Sequence, residues 1–313
     1  MEILRFGILS TSSIAPRFIA AVRETGLGDI AALSSRSLEK AKEKASQWSI
    51  PRFYGSHKEL LDDPGVNIVY ISTVNAYHYT WAKEALLRGK HVVCEKPCTM
   101  SAEETRELFA LAREKKCFLM EAQKMLFLPV ILEVKRRIDA GDLGEISMAE
   151  MSNSFSADYN AWMFDEALGG GALLSSGIYG VQLMLYLFGE ISEIQGTRIC
   201  GAEGTERQYI LNGTTKSGVQ FLVKNSTLSM LDNCARIYGS KGRVEIPEFW
   251  KARSAVFHLP ESETVNYPCQ HELIYEVEHI HKCIENGLLA SPVVTEDISV
   301  SGIAALQKVK ENW

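Results

Sequence analysis

No Cys-x-x-Cys pair occurs in the 313 residues, and the seven cysteines are odd in number and scattered from Cys94 to Cys283. Neither a disulfide framework nor a thiolate metal site is suggested by that pattern. The seven histidines also lack metal-ligand spacing: His279 and His281 stand two apart on an expected helix and so point to different faces. No metal is expected. Positive charge is in short supply, with 33 Lys and Arg against 39 Asp and Glu and a net charge of -6. A nucleic acid or an anionic membrane would favour a basic surface, so no nucleic-acid and no membrane partner is expected. No signal-peptide pattern opens the chain, and no uninterrupted apolar run approaches the length that spans a bilayer. The expectation is a cytoplasmic protein whose partner is a small-molecule substrate.

What is present is the composition of a folded chain, 46% hydrophobic and 23% charged, far from the range in which chains stay disordered. Single cores stop growing near roughly 250 to 300 residues, so two domains are expected. Up to about Ala122 the runs ILRFGIL, IAALSS, NIVYIST, HVVCEK and CFLMEA alternate with segments of helical period such as LEKAKEKASQW and YTWAKEALLRG. That alternation predicts an α/β, doubly wound Rossmann domain over residues 1–122, with a parallel sheet covered on both faces. After PVILEVKRRIDAGDLG the strand-like runs EISMAEMSNSF, ISEIQGTRIC, RQYILNGTT and VQFLVKNSTL follow one another. Residues 123–313 are therefore expected to form an α+β domain with an open, mainly antiparallel sheet, helices on one face and a compact hinge near residue 122.

A dinucleotide site would place its glycine-rich loop at GILSTSSIA. Serines stand at two of the glycine positions, Ser10 and Ser12, and Ala15 at the third. Serine keeps bulk low and adds hydroxyls, so Ser10, Thr11, Ser12, Ser13 and Ile14 still form a candidate cradle at a helix N-terminus. At the end of the next apolar run, where an NAD-specific protein carries an acid for the ribose, Ser35 and Arg36 appear, with Lys40 a turn later. A guanidinium and a hydroxyl suit a 2'-phosphate, which favours NADP while leaving NAD possible. Cations that merely solvated a helix N-terminus would be unfavourably placed there.

The segment HVVCEKPCTMSAEETREL, with its Glu95-Lys96-Pro97, resembles the signature of the glucose-fructose oxidoreductase, inositol dehydrogenase and MocA family. The similarity continues through MEAQKMLFLP, LGEI, GGGALLSSGIYGVQLMLYLFGE, ARIYGSKGRVEIP and SPVVTEDISVSGIAALQKV, and so covers essentially the whole chain. GILSTSSIA and SSRSLEKAKEKA look most like the NADP-using branch that includes the dihydrodiol dehydrogenases.

The resemblance implies an NAD(P)-dependent oxidoreductase acting on a sugar, polyol or cyclic diol, and a homodimer or homotetramer formed through the open sheet. It carries substrate and nicotinamide contact over to Lys96, with a proline at 97 that is often cis. The chain departs from the family pattern at SSGIY, where Ser175 takes the place of an aspartate and Tyr179 that of a proton-transfer residue. A phenol starts near a pKa of about 10 and needs a nearby cation such as Lys96 to work at neutral pH.

Thr73, Asn75 and Glu95 occupy strand ends, where open α/β sheets bind ligands. His78 is open to two readings, a residue near the nicotinamide or a plain helix N-terminal residue. Trp162 and Asp165 fall where family members shape the substrate pocket, Asp165 as a replacement for the missing charge. Hydride transfer with Lys96 and Tyr179 as the catalytic pair is the expectation. A nucleotide-binding regulator that has lost its chemistry is the alternative.

Overall fold

In a computed structural model of the chain, residues 3–156, 161–269 and 271–313 are described. They form two compact units, one running to Ala122 and rejoined by His271–Glu296, the other comprising Gln123–Gln270 and Asp297–Trp313.

The first unit alternates strand and helix: β1 (Leu4–Leu9), α1 (Ala15–Thr25), β2 (Gly28–Ser34), α2 (Leu38–Gln47), β3 (Arg52–Tyr54), α3 (His57–Leu61), β4 (Ile68–Ile71), α4 (His78–Leu87), β5 (His91–Glu95), α5 (Ala102–Lys115) and β6 (Leu119–Ala122). All pairings are parallel, in the order β3-β2-β1-β4-β5-β6. Both faces are covered, as the near-continuous apolar strands require: every residue of β4 and β6 is buried. On one face Phe18 of α1 stacks on Tyr70 at 3.8 Å and meets Phe6 edge-on at 5.5 Å. On the other, Ala82, Ala85 and Leu86 of α4 and Leu108 and Phe109 of α5 join Val69, Ile71, Val92 and Cys94 in one core.

His57, at the start of α3, is buried, with Nδ1 2.8 Å from Ser34 Oγ and its ring edge-on to Trp81. Burial, aided by the Arg36 charge, pushes its pKa down to about 4. The folded state therefore holds the ring neutral while the unfolded chain takes up a proton near pH 6.5. Stability from this group is complete above about pH 6.5 and is lost as the pH falls through about 4. His279, pushed to about 4 mainly by burial, acts in the same window. The unfolding free energy from urea titrations is expected to fall across that range, and His57→Gln, which cannot titrate, to reduce the fall by an amount on the order of 3 kcal/mol. An unchanged pH profile in that variant would show that His57 charges freely in the fold.

The second unit begins with α6 (Pro129–Asp139) and β7 (Ile146–Ser154). It continues through α7 (Ile178–Phe188), β8 (Ile191–Cys200), β9 (Glu206–Thr215), β10 (Gln220–Ser226), β11 (Cys234–Gly239), β12 (Gly242–Pro247), β13 (Ser254–His258) and β14 (Glu263–Asn266). These eight strands form one sheet, β14-β13-β12-β11-β7-β10-β9-β8. It is mainly antiparallel as expected, but β7 and β10 pair in parallel from Met148/Gln220 to Ser154/Ser226. The intervening α7, β8 and β9 form the crossover that a parallel pair requires. Helix α7 packs on this sheet where Gly180 leaves room: a Cβ there would lie 2.5 Å from Val223. The opposite face carries exposed Met148 and Ile210.

By composition Glu166–Phe188 is long and apolar enough to cross a membrane, which departs from the expectation that no run approaches that length, yet 78% of its most apolar window is buried inside the protein. It serves as a core segment.

The chain then returns to the first unit with α8 (Ile274–Glu285) and ends in the second with α9 (Glu296–Glu311). Residues 271–296 thus differ from the expected placement of 123–313 in a single domain. Helix α8 packs against α1, Arg17 pairs with Glu272, and Leu119 N–H donates to Leu289 O at 3.0 Å. Periodicity identifies a helix with one apolar face; it does not say which core that face covers.

Candidate active site

The carboxyl ends of β1, β2, β4 and β5 bring the first group of residues together. Beyond β1, Ser10 adopts φ 99°, a backbone region natural to glycine. The turn of the missing glycine is therefore kept by a serine, and Ser10 N–H donates to Ser34 O at 3.1 Å. Ser12 Oγ donates to Ser72 Oγ at 2.8 Å, tying the loop to the end of β4. Helix α1 starts at Ala15 with Pro16 in its first turn, no side-chain cap and no acid in that turn. Ala15 N–H donates to Ser12 O and Arg17 N–H to Ile14 O, so the first turn closes directly on the loop and brings the positive end of the helix dipole to it.

The residues fit a dinucleotide pyrophosphate, cradled by Ser10–Ile14. Strain at Ser10 costs on the order of 1 kcal/mol or more. Ser10→Gly is expected to raise the unfolding free energy by about that amount, read as a higher urea midpoint at unchanged slope; a lower midpoint would show that the hydroxyl holds the turn more than φ strains it.

At the end of β2, Ser35 is buried and its N–H donates to Tyr54 O at 3.1 Å, while Arg36 and Lys40 are exposed. Ser37 caps α2 through Lys40 N–H. Arg36 and Lys40 thus remain at the surface, and the Ser35 Oγ accepts the Ser37 N–H at 3.5 Å.

Thr73 Oγ1, past β4, is buried without a hydrogen-bond partner, an orphaned polar atom at the sheet edge where a ligand would satisfy it. Asn75 is buried at the start of a 3-10 turn. His78 is wholly buried, with Nδ1 2.8 Å from Pro97 O and Nε2 3.0 Å from Thr73 O. Each ring nitrogen lies against a backbone carbonyl oxygen, and the neutral ring can donate to one of the two. It braces the turn that follows β5. Burial pulls its pKa below the ordinary histidine value.

That turn carries Lys96, half-buried, before a cis Lys96–Pro97 bond. Burial lowers the Lys96 pKa, while the carboxylates of Glu95 and Glu121 pull it back up. Glu95 accepts a hydrogen bond from Tyr70 OH.

In the second unit Ser175 lies in a π-turn, Leu173–Gly177, leading into α7, and Tyr179 is half-buried in the first turn of α7. Single π-turns inside helices recur at functional sites. Ser175 Oγ donates to Gly171 O at 2.8 Å, so the hydroxyl proton is spent on the backbone. Ser176 does the same to Ala172 O and also meets Tyr209 OH at 2.9 Å.

The glycines ahead of the turn have a local cause. Gly171 has φ 108°, and a Cβ there would fall 1.8 Å from Glu206 Oε2. Glu206 is itself buried, and burial raises its pKa.

Trp162 is half-buried on a 3-10 turn. Asp165 is exposed, and its Oδ1 accepts Ala167 N–H at 3.0 Å as the cap of the next turn. A cap gives the aspartate a local structural role. Residues 157–160 of the pocket segment SADYNAWMFDEA lie outside the described residues.

The sequence reading missed Glu121, 1% exposed at the end of β6. Its signal was a lone acid closing the otherwise apolar run CFLMEA. Among the described residues no group of three or more His, Cys, Asp or Glu is placed to hold a metal.

Comparison with known proteins gives two family matches: residues 4–123 to an oxidoreductase family with an NAD-binding Rossmann fold, and residues 131–245 to the GFO/IDH/MocA C-terminal domain. The trans-1,2-dihydrobenzene-1,2-diol dehydrogenase of Xenopus laevis is 32% identical over 306 residues, covering 93% of this chain and 92% of that protein. The human protein of the same name is 31% identical over 307 residues, covering 93% and 91%. Among solved structures, a 3-ketoreductase from Actinomadura kijaniata in complex with NADP and TDP-benzene shares the fold at a TM-score of 0.90, with 23% identity and 99% and 98% of the two chains covered. Levoglucosan dehydrogenase, in complex with NADH and levoglucosan, does so at 0.90 with 18% identity and the same coverage.

Proposed function

The chain belongs to the GFO/IDH/MocA family of oxidoreductases, and from that premise we propose that it oxidises a CH–OH group of a cyclic trans-diol, or of a related sugar or polyol, with NADP. The observation that carries the reading is Lys96, half-buried after β5 beside a cis proline at the same sheet edge as the serine phosphate loop. Substrate class follows the diol dehydrogenases at 31–32% identity. Preference for NADP rests on Arg36 and Lys40, exposed beyond β2 where an acid would select NAD.

When bound, the nicotinamide supplies the hydride acceptor or donor at its C4. Ser10–Ile14 and the start of α1 hold the pyrophosphate, Arg36 the 2'-phosphate, and Lys96 the substrate oxygen. Tyr179, as the phenolate, takes the hydroxyl proton as the carbonyl forms, and as the phenol returns it in the reverse direction. Ser175, whose proton goes to Gly171 O, offers a substrate lone pairs only.

The exposed Met148 and Ile210 of the second sheet support pairing of two copies of the chain through that face, and the free state of all seven cysteines fits a reducing, cytoplasmic setting.

Steady-state oxidation of trans-1,2-dihydrobenzene-1,2-diol and of simple sugars, each with NADP and with NAD, tests the proposal. A higher kcat/KM with the diol and NADP is expected. Turnover of sugars alone would move the substrate class, and turnover with neither group would overturn the reading.

A further inference from the structure

A half-buried ammonium needs compensation. Two carboxylates of the first unit act on Lys96. Glu95, on the lysine's own strand, has the larger effect and also accepts from Tyr70 OH. Glu121 is different: it ends the neighbouring strand β6, in parallel register with Cys94 of β5, and is 1% exposed. Its Oε1 accepts the Cys98 N–H at 3.0 Å, two residues past Lys96 and just beyond the cis Pro97. The rest of β6 is Leu119, Met120 and Ala122, all buried, so packing alone has no use for an acid at 121. A buried carboxylate is costly unless hydrogen bonds and an opposite charge offset it.

We propose that Glu121 is the positioning residue of Lys96: it fixes the Lys96–Cys98 turn through the Cys98 N–H and joins Glu95 in supplying the counter-charge that holds the ammonium in place. The other titratable groups around Lys96 do not take this role. His78 carries no negative charge, and the Cys94 thiol is held protonated by burial.

The inference rests on the catalytic reading of Lys96 only for its effect on turnover. Its test reads the lysine itself. Full-length protein is labelled with trace acetic anhydride across a pH series, and acetylation of Lys96 is followed by peptide mass spectrometry. Glu121→Gln keeps a carbonyl oxygen for the Cys98 N–H and nearly the same volume, and removes only the charge. The labelling midpoint of Lys96 is expected to fall by about one pH unit or more, with other lysines unmoved. The matching limb of the kcat pH profile should move the same way. An unmoved Lys96 midpoint in a folded Glu121→Gln protein would overturn the proposal.

A second arm does not depend on that variant folding. Lys96→Met leaves Glu121 uncompensated, and the double variant Lys96→Met/Glu121→Gln is expected to be more stable at neutral pH than Lys96→Met alone. A double variant no more stable than Lys96→Met contradicts the pairing. Lack of turnover in the wild type would sink the proposed function and leave both readouts standing.

Discussion

Lys96→Met is expected to lower kcat/KM by about 10³-fold, while the Kd for NADPH stays within a few-fold of wild type. Lysine lies at the end of β5, half-buried, with a pKa drawn down by burial and up by Glu95 and Glu121. A cation so placed is suited to stabilise the oxygen on which charge changes during hydride transfer, and methionine matches its length without any charge or donor. In the proposed reading the pyrophosphate is held by different segments, Ser10–Ile14 and the start of α1. Chemistry and cofactor binding should therefore separate. Tyr179→Phe should lose a smaller factor, about 10²-fold, because water can carry the proton in its place. If Lys96→Met kept near-normal kcat and weakened NADPH instead, the lysine would be a cofactor clamp with no part in catalysis.

Arg36→Ala should raise the Kd for NADPH by about 10- to 100-fold and leave that for NADH nearly unchanged. A charge-assisted guanidinium–phosphate contact contributes about 1.5–3 kcal/mol, and each 1.4 kcal/mol is tenfold. The effect should shrink at high salt, because Arg36 is exposed. Equal weakening of both cofactors would place Arg36 on the pyrophosphate or on the loop's own structure. Ser35 is not expected to share the selectivity, since it is buried below the loop with its N–H on Tyr54 O.

Much of this site could be read in the sequence because parallel sheets announce themselves through unbroken apolar strands whose carboxyl ends bind ligands. Ser10–Ile14, Arg36, Thr73 and Lys96 all follow β1, β2, β4 or β5, and each apolar run that marked those strands is present. Three-residue β3, with Arg52 and Phe53 exposed, was too short for any period to show. The return of α8 to the first unit and the parallel pairing of β7 with β10 depend on contacts between distant segments, which local pattern does not encode.

Side-chain direction was the other blind spot. His78, Asp165 and Ser175 sit in the stretches where function was expected. His78 faces two backbone carbonyls, Asp165 caps a turn, and Ser175 donates to Gly171 O. Short polar side chains near turns satisfy local backbone first. Glu121 was passed over for the opposite reason, since its neighbours made it look like part of a core strand.

The most direct measurement is label transfer from NADPH carrying two deuterium atoms at C4 to a saturated cyclic 2-hydroxyketone, followed by mass spectrometry of the product. One deuterium per product molecule, on the carbinol carbon, is the expected result. Product without label, or NADPH left unconsumed across diol- and sugar-derived carbonyls, would contradict hydride transfer as the function of this fold.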